Sequence, residues 1–357
     1  KCQKIRTNFS SLESALKLEH RLTRYRIMKP QCMTTVSIKS ASLVITKDNF
    51  VKIFFHSRFG TDCQASGKVA VCSPMDTQAR HNLRLGKISY LNVLPIYYPL
   101  EKGGVANDFR IVSGPPARLN ELMALGKLDI SAASSFEYAR NHQRYFLVPD
   151  LAIGSQGPVQ SVLLLSRVPL ARLEEHPICI SSQTHTSAAL LRLILRERFH
   201  LNPDYQTGNI TELISSADPP SAFLAIGDEA LRLRDLPAYP YKLDLGQAWL
   251  EWTGLPFIFG VWIINRDSVK TRGKDIQEGC HKILAAKQWG LRRMAFFSDL
   301  ISREGILDRE EVFSYFQGLV YDFADREQKG LQLFFDLLAK SGAIESSPDL
   351  NFLNLGK

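Results

Sequence analysis

The chain carries none of the short signatures that announce the commonest chemistries. It has no Gly-rich phosphate loop, no dinucleotide-binding glycine fingerprint and no pair of residues at metal-ligand spacing. Ser161 lacks a nucleophile-elbow context, and no His and Asp are spaced to complete a triad with it. No apolar run reaches the roughly 18 residues of a membrane-crossing helix. Cysteine is scarce and unpatterned: six in 357 residues, four of them (Cys2, Cys32, Cys63, Cys72) near the front. Cys179 and Cys280 stand singly in apolar surroundings and read as buried free thiols, so neither a zinc site nor a disulfide framework is expected. Negative charge is short only at the front. Residues 1–74 hold 13 Lys/Arg against 4 Asp/Glu, whereas residues 75–357 hold 31 against 32. The formal charge of +8, which would suit nucleic acid or an anionic membrane, therefore belongs to the leading piece. For the rest no nucleic acid, membrane, metal or cofactor partner is expected.

The leading piece is also hard to fold on paper. Lys17 to Met28 reads as a short basic helix and Ala41 to Phe55 has weak strand character, neither with a partner of matching pattern. It lacks the continuous apolar core, roughly 7–15 residues, of a secretory signal. Position 1 is not Met, and Met75 stands just ahead of the regular pattern. Residues 1–74 are accordingly expected to be a largely disordered, non-native extension, with a basic targeting or binding arm as the other reading.

From Leu83 the pattern becomes regular. Strands are expected at Leu85–Leu91, Asp108–Val112 and Asp129–Ala133, alternating with helices at Val93–Leu100, after Pro116 and at Phe136–His142. That alternation implies a parallel sheet flanked by helices. Apolar runs at Phe146–Ile153 and Val159–Ser166 are joined by Gly154-Ser155-Gln156-Gly157-Pro158. A second set follows: strand Ile178–Ser181, long helix Thr184–Phe199 and strand Ala222–Ile226, before strand Phe257–Asn265 returns the chain to the first unit. Beyond Ser268 the chain reads as helical, with a capping box at Asp308 and Glu311, a helix running past Gly318 towards Phe323, and another near 330–341. The expected architecture is α/β and two-lobed, with a central cleft. Lobe I is 83–167 plus 259–357 and lobe II is 168–258.

Small polar residues recur where strands end and helices begin: Ser89 with Asn92, Ser134 with Ser135, Gly154 and Ser155 with Ser161, Ser181 to Ser187, and Gly227 with Asp228. If they converge, they make a pocket rich in hydroxyls and backbone N–H groups, suited to a carboxylate. Each Ser or Thr is also explained as a cap of its own helix. Asn92 carries an amide that both donates and accepts. His185 is the one side chain in the set that titrates near neutrality, and Asp228 is either a ligand contact or a helix cap. Trp249 and Trp252 suit an aromatic ligand or the core equally.

Six motifs in order resemble the chorismate dehydratase family of the futalosine route to menaquinone. They are SYLN-x-x-P from Ser89, SSFEYA from Ser134, GSQGPVQSVLLLSR from Gly154, THTSAALLRL from Thr184, AIGDEAL from Ala225 and DLGQAWLEWTGLPFIFGVW from Asp244. The likeness runs from about Leu83 to Leu338. It implies a type II periplasmic-binding-protein-like fold without an export signal, a cytoplasmic location, and a lyase that removes water from chorismate without cofactor. It implies catalytic roles for Asn92 and Ser135. Substrate contacts are implied from Ser89, Ser134, Gly154, Ser155, Ser161, Thr184, His185, Thr186, Ser187, Gly227 and Asp228. The protein is expected to be a monomer or homodimer. A 1,4-dihydroxy-6-naphthoate synthase would share the fold, but calls for a Ser-Pro-Cys-Pro-Asn-Asp-like strand end where this chain has Ser89-Tyr90-Leu91-Asn92. A non-catalytic anion-binding protein is the remaining alternative.

Overall fold

The computed structural model describes residues 82–182 and 184–356, and the backbone of 41–45 and 51–55. The chain divides into two compact units, Lys1–Asp76 and Thr77–Lys357. In the first, β1 (Ala41–Ile45) and β2 (Val51–Phe55) pair antiparallel, Ala41 opposite Phe55 and Ile45 opposite Val51. The strand-prone stretch is thus two strands that partner each other. The expected basic helix, and the disorder expected across the rest of 1–74, lie outside the described residues.

The second unit is built on two mixed sheets. The larger has six strands, in the order β13-β6-β12-β5-β3-β4. Its parallel half is two strand–helix–strand units. β3 (Arg84–Ile88) leads through α1 (Leu94–Glu101) to β4 (Arg110–Gly114), then α2 (Pro116–Ala124) leads to β5 (Ile130–Ser134). α1 begins where its Pro95 can sit without losing a hydrogen bond, in the first turn. β5 runs directly into α3 (Ser135–Asn141), whose N-cap Ser134 accepts from the Glu137 N–H. The antiparallel half is β6 (Tyr145–Ser155), β12 (Phe257–Asn265) and the two-residue β13 (Leu319–Val320). The sheet is therefore mixed where the alternation implied a parallel one.

The smaller sheet follows the order β11-β7-β10-β8-β9. Its strands are β7 (Val162–Ser166), β8 (Ile178–Ile180), β9 (Tyr205–Thr207), β10 (Ala222–Ile226) and β11 (Tyr241–Asp244). They are joined by α4 (His185–Leu193), α5 (Ile210–Ile214) and α6 (Gly227–Leu233), and α7 (Leu245–Thr253) follows β11. The long helix expected at Thr184–Phe199 is α4 followed by a wider π turn at Ile194–Arg198. Because Val162–Ser166 pairs in this sheet and Phe257 in the larger one, the chain crosses between sheets at 156–161 and 254–256. The first crossing falls ahead of the expected boundary at 167.

The C-terminal helices brace the larger sheet: α8 (Arg266–Leu291), α9 (Met294–Ser302), α10 (Arg309–Gly318) and α11 (Asp325–Lys340). The capping box at Asp308 and Glu311 forms as read. α10 does not run on towards Phe323: Leu319 is extended (φ −86°, ψ 142°) and its strand pairs with Ser155 and Gly154 of β6. A buried ionic knot ties the start of the sheet together. Asp129, 1% exposed, accepts from the Arg84 guanidinium at 2.6 and 3.0 Å, from the Arg84 backbone N–H at 2.8 Å and from Ser268 Oγ at 2.8 Å. Cys179 and Cys280 are buried free thiols, as their contexts indicated. Among the described residues no helix is long and apolar enough to cross a membrane, and no cluster of three His, Cys, Asp or Glu could hold a metal ion.

Candidate functional site

A cavity of about 100 Å³ lies between the two sheets, where the carboxyl ends of β3, β5 and β10 deliver the chain into helices. Ligand sites of open α/β sheets fall at such strand ends. Five helices begin on its wall, contributing Val93 ahead of α1, Pro116 of α2, Ser134 ahead of α3, Thr184 to Ser187 of α4, and Gly227 of α6. The positive dipole ends of helices thus face one space. Among the described residues the wall holds no carboxylate, lysine or arginine, and His185 is its one imidazole. Such a wall suits an anion held by fixed dipoles.

Asn92 lies in a single 3-10 turn, Leu91–Val93, four residues beyond the end of β3, not at the strand end itself. Its backbone carbonyl accepts from the Tyr321 hydroxyl at 2.8 Å. Its side-chain Oδ1 is shut away from solvent and has no hydrogen-bond partner among the described residues. A buried amide oxygen without a partner costs free energy, and the residue that carries it is part of the cavity wall.

Opposite lies the start of α4. Thr186 Oγ1 accepts from the Phe136 N–H at 3.0 Å, so a residue following the smaller sheet caps a helix of the larger one. Thr184 Oγ1 is spent on the Ser181 carbonyl at 2.7 Å. Ser187, 8% exposed, makes no hydrogen bond among the described residues and is open to a ligand. His185 lines the cavity with its side chain largely in solvent. Ser161 Oγ accepts from the buried Tyr315 hydroxyl at 3.2 Å, while its carbonyl accepts from the Gly227 N–H at 2.7 Å.

Gly227 has φ +58°, and a Cβ there would lie 2.9 Å from the ring of Tyr90. Tyr90 therefore lies across from one sheet's loops onto the other's. Asp228 sits just behind: its Oδ1 accepts from the Leu91 N–H at 3.1 Å, a second tie between the two sets of loops. Burial pushes the Asp228 carboxyl above its ordinary value, partly offset by that N–H. Burial likewise raises Glu137 in the first turn of α3, and the Tyr315 and Tyr321 phenols well out of reach of neutral pH.

Of the residues expected at the site, Asn92, Ser134, Ser161, Thr184, His185, Thr186, Ser187 and Gly227 line the cavity. The others take up different positions. Ser135 is fully buried and its hydroxyl donates to the Ile258 carbonyl at 2.5 Å, which removes it from contact with a ligand. Gly154 lies inside β6, where a Cβ would come 2.5 Å from the Phe257 carbonyl, and Ser155 is buried beside it. Ser89 is exposed outside the cavity. Asp228 acts through Leu91, not on the wall. Trp249 belongs to the core, packed edge-to-face on Phe257 and Phe334 with its indole N–H on the Pro256 carbonyl. Sequence reasoning missed Tyr90 and Phe259 on the wall and Tyr315 and Tyr321 behind it. An aromatic in a strand-to-helix loop looks the same whether it packs inward or against another loop.

Comparison with known proteins agrees with this geometry. The model of a family described as menaquinone biosynthesis matches residues 83–340. A chorismate dehydratase from Thermus thermophilus is 28% identical over 271 residues, covering 71% of this chain and 94% of the relative. Another chorismate dehydratase, from Campylobacter jejuni, is 30% identical over 181 residues, covering 49% of this chain and 64% of the relative. Among solved structures, a Candida albicans protein described as having the generic periplasmic binding protein fold superposes with a TM-score of 0.57 at 12% identity. It covers 78% of this chain and 99% of that one. The periplasmic aliphatic sulphonate binding protein of Escherichia coli gives 0.55 at 14% identity, covering 76% and 96%. The fold is thus periplasmic-binding-protein-like, and the chain belongs to the menaquinone biosynthesis family.

Proposed function

We propose that this protein dehydrates chorismate to 3-[(1-carboxyvinyl)oxy]benzoate. The observation that carries the reading is Asn92, an amide with an unpartnered Oδ1 on the wall of a cavity that is ringed by helix N-termini and has no carboxylate among its described lining residues, in a chain related to chorismate dehydratases. Chorismate is a dianion. One carboxylate suits the start of α4, where the N–H groups and Ser187 hydroxyl are available. The ring C–H that breaks is vinylogous to the ring carboxylate, so its electrons delocalise onto that carboxylate. The neighbouring C–O bond then breaks, hydroxide departs and takes up a proton as water, and the ring becomes aromatic. Aromatisation supplies the driving force, so the protein has only to orient the substrate and stabilise moving charge.

No carboxylate among the described residues lines the cavity, and in this scheme the substrate's own enolpyruvyl carboxylate is the base. The Asn92 amide holds that carboxylate and the departing hydroxyl in register. The test is mass spectrometry of chorismate incubated with the full chain. The expected product has lost one water, and Asn92→Ala turns over about 100-fold more slowly while still binding ligand. Near-normal turnover by Asn92→Ala would remove the role assigned to it. Binding of chorismate by the wild-type chain without any turnover would instead support an anion-binding protein.

A further inference from the structure

We propose that Tyr321 is a positioning residue that aims the Asn92 carboxamide into the cavity; this rests on the role of Asn92 above. Tyr321 is 3% exposed, and its hydroxyl reaches the Asn92 backbone carbonyl at 2.8 Å from far along the sequence. A buried hydroxyl must find an acceptor, and this one finds it on the residue at the centre of the site. The Asn92 Oδ1 has no partner of its own, so the amide takes its aim from the backbone that carries it. That backbone is a three-residue 3-10 turn, held by a long 3.4 Å bond from the Val93 N–H to the Tyr90 carbonyl, by the Leu94 N–H on the Leu91 carbonyl and by the Leu91 N–H on Asp228 Oδ1 at 3.1 Å. Such a turn is poorly determined by itself. Of the bonds on this turn, the Tyr321 hydroxyl is the strut that bears on Asn92 itself.

The strut has a firm base. The Tyr321 carbonyl accepts from the Ala152 N–H at 3.2 Å, and Val320 pairs with Gly154. Next to it, Asp322 takes the ammonium of Lys287 at 2.6 Å, and that ammonium also donates to the Asp150 carbonyl at 2.6 Å. Lys287 is 3% exposed in α8. An anchored phenol therefore ends on the turn that carries the amide, and movement of the turn is movement of the amide.

Tyr321→Phe keeps the ring and deletes the donor. Its kcat on chorismate is expected to fall about 10- to 100-fold, because small misplacements of a reacting group cost that much, with KM changed by less than about twofold. In an Asn92→Ala background the same change is expected to cost nothing further. Equal losses in both backgrounds would mean a structural role and overturn the proposal, as would full kcat in Tyr321→Phe. An activity-independent readout uses protein labelled with 15N-asparagine, in which the Asn92 amide resonance is assigned by its loss in Asn92→Ala. Tyr321→Phe is expected to shift or broaden it, and an unchanged resonance would overturn the proposal. If Tyr321→Phe fails to fold, Asp322→Asn loosens the Lys287 anchor at a carboxylate 67% exposed and must move the same resonance. If Asn92→Ala stays active, the catalytic reading fails while the resonance still decides the strut.

Discussion

Replacing Gly227 by any residue with a side chain requires Tyr90 to move. The position has a left-handed φ of +58°, and an added Cβ would meet the Tyr90 ring at 2.9 Å. Gly227→Ala is expected to cost about 1–2 kcal/mol from the backbone alone, read from urea denaturation. Because Tyr90 lines the cavity, ligand affinity should fall as well, about tenfold by calorimetry. A variant with the stability loss but unaltered affinity would show that Tyr90 does not shape the bound state. At this scale the sequence disclosed where polar side chains stand, not what they are spent on. Serines and threonines next to helix starts were legible because capping is local. The commitment of Ser135 to Ile258, and of Thr186 to Phe136, depends on partners 123 and 50 residues away. No local pattern encodes those bonds, and they separate the hydroxyls that can touch a ligand from those that cannot.

Elements are tied to one another by a few buried charges, and Asp129 is the clearest case. It joins the start of β3, its own approach to β5 and the first turn of α8 through Arg84 and Ser268. Burial by itself would raise the carboxyl, but hydrogen bonds from Arg84 and Ser268 outweigh it and hold the group below its ordinary range. An unfolded Asp titrates near pH 3.9, so the unfolded chain binds more protons in that region. The contribution is whole above about pH 4 and is lost as pH falls through the lower folded value. Asp129→Asn should cost about 2 kcal/mol at neutral pH, less than a fully buried pair because Arg84 is one-third exposed. It should also flatten the acid limb of stability. Urea titrations at about pH 7 and pH 3 check both, and a parallel acid limb would exclude Asp129 as its source. Most elements were legible because their apolar periods are strong and their stops are Gly, Pro or a capping box. The short β9 and β11 and the early end of α10 were not. A three- or four-residue strand buries too little to leave a period, and β13 exists because β6 offers it a partner.

The two-sheet plan of the whole molecule was readable from two sets of strand–helix alternation with a Gly-Ser-Gln-Gly-Pro bridge between them. The distance between the sheets' loops was not, since it is set by contacts across the cleft. Leu91 N–H on Asp228, Phe136 N–H on Thr186 Oγ1 and Tyr90 on Gly227 hold the loops together around a cavity of about 100 Å³. Pockets that enclose a drug-sized ligand run to roughly 300–1,000 Å³. A ring dianion such as the substrate proposed above is therefore expected to enter as these ties part, and the ties to re-form, or to be replaced by ligand contacts, when it is held. Removing an acceptor from one side leaves the opposing N–H free to bond water in the open form, so opening is favoured. Each hydrogen bond is worth about 1 kcal/mol net, more where the acceptor is charged. Thr186→Val should thus speed ligand release about fivefold and Asp228→Ala about tenfold or more, measured by stopped-flow displacement of the bound carboxyvinyloxybenzoate. Association rates should rise or stay level, because opening no longer has to break the bond. Release at the wild-type rate from both variants would mean that the two bonds survive ligand exchange, and that access opens elsewhere on the cavity wall.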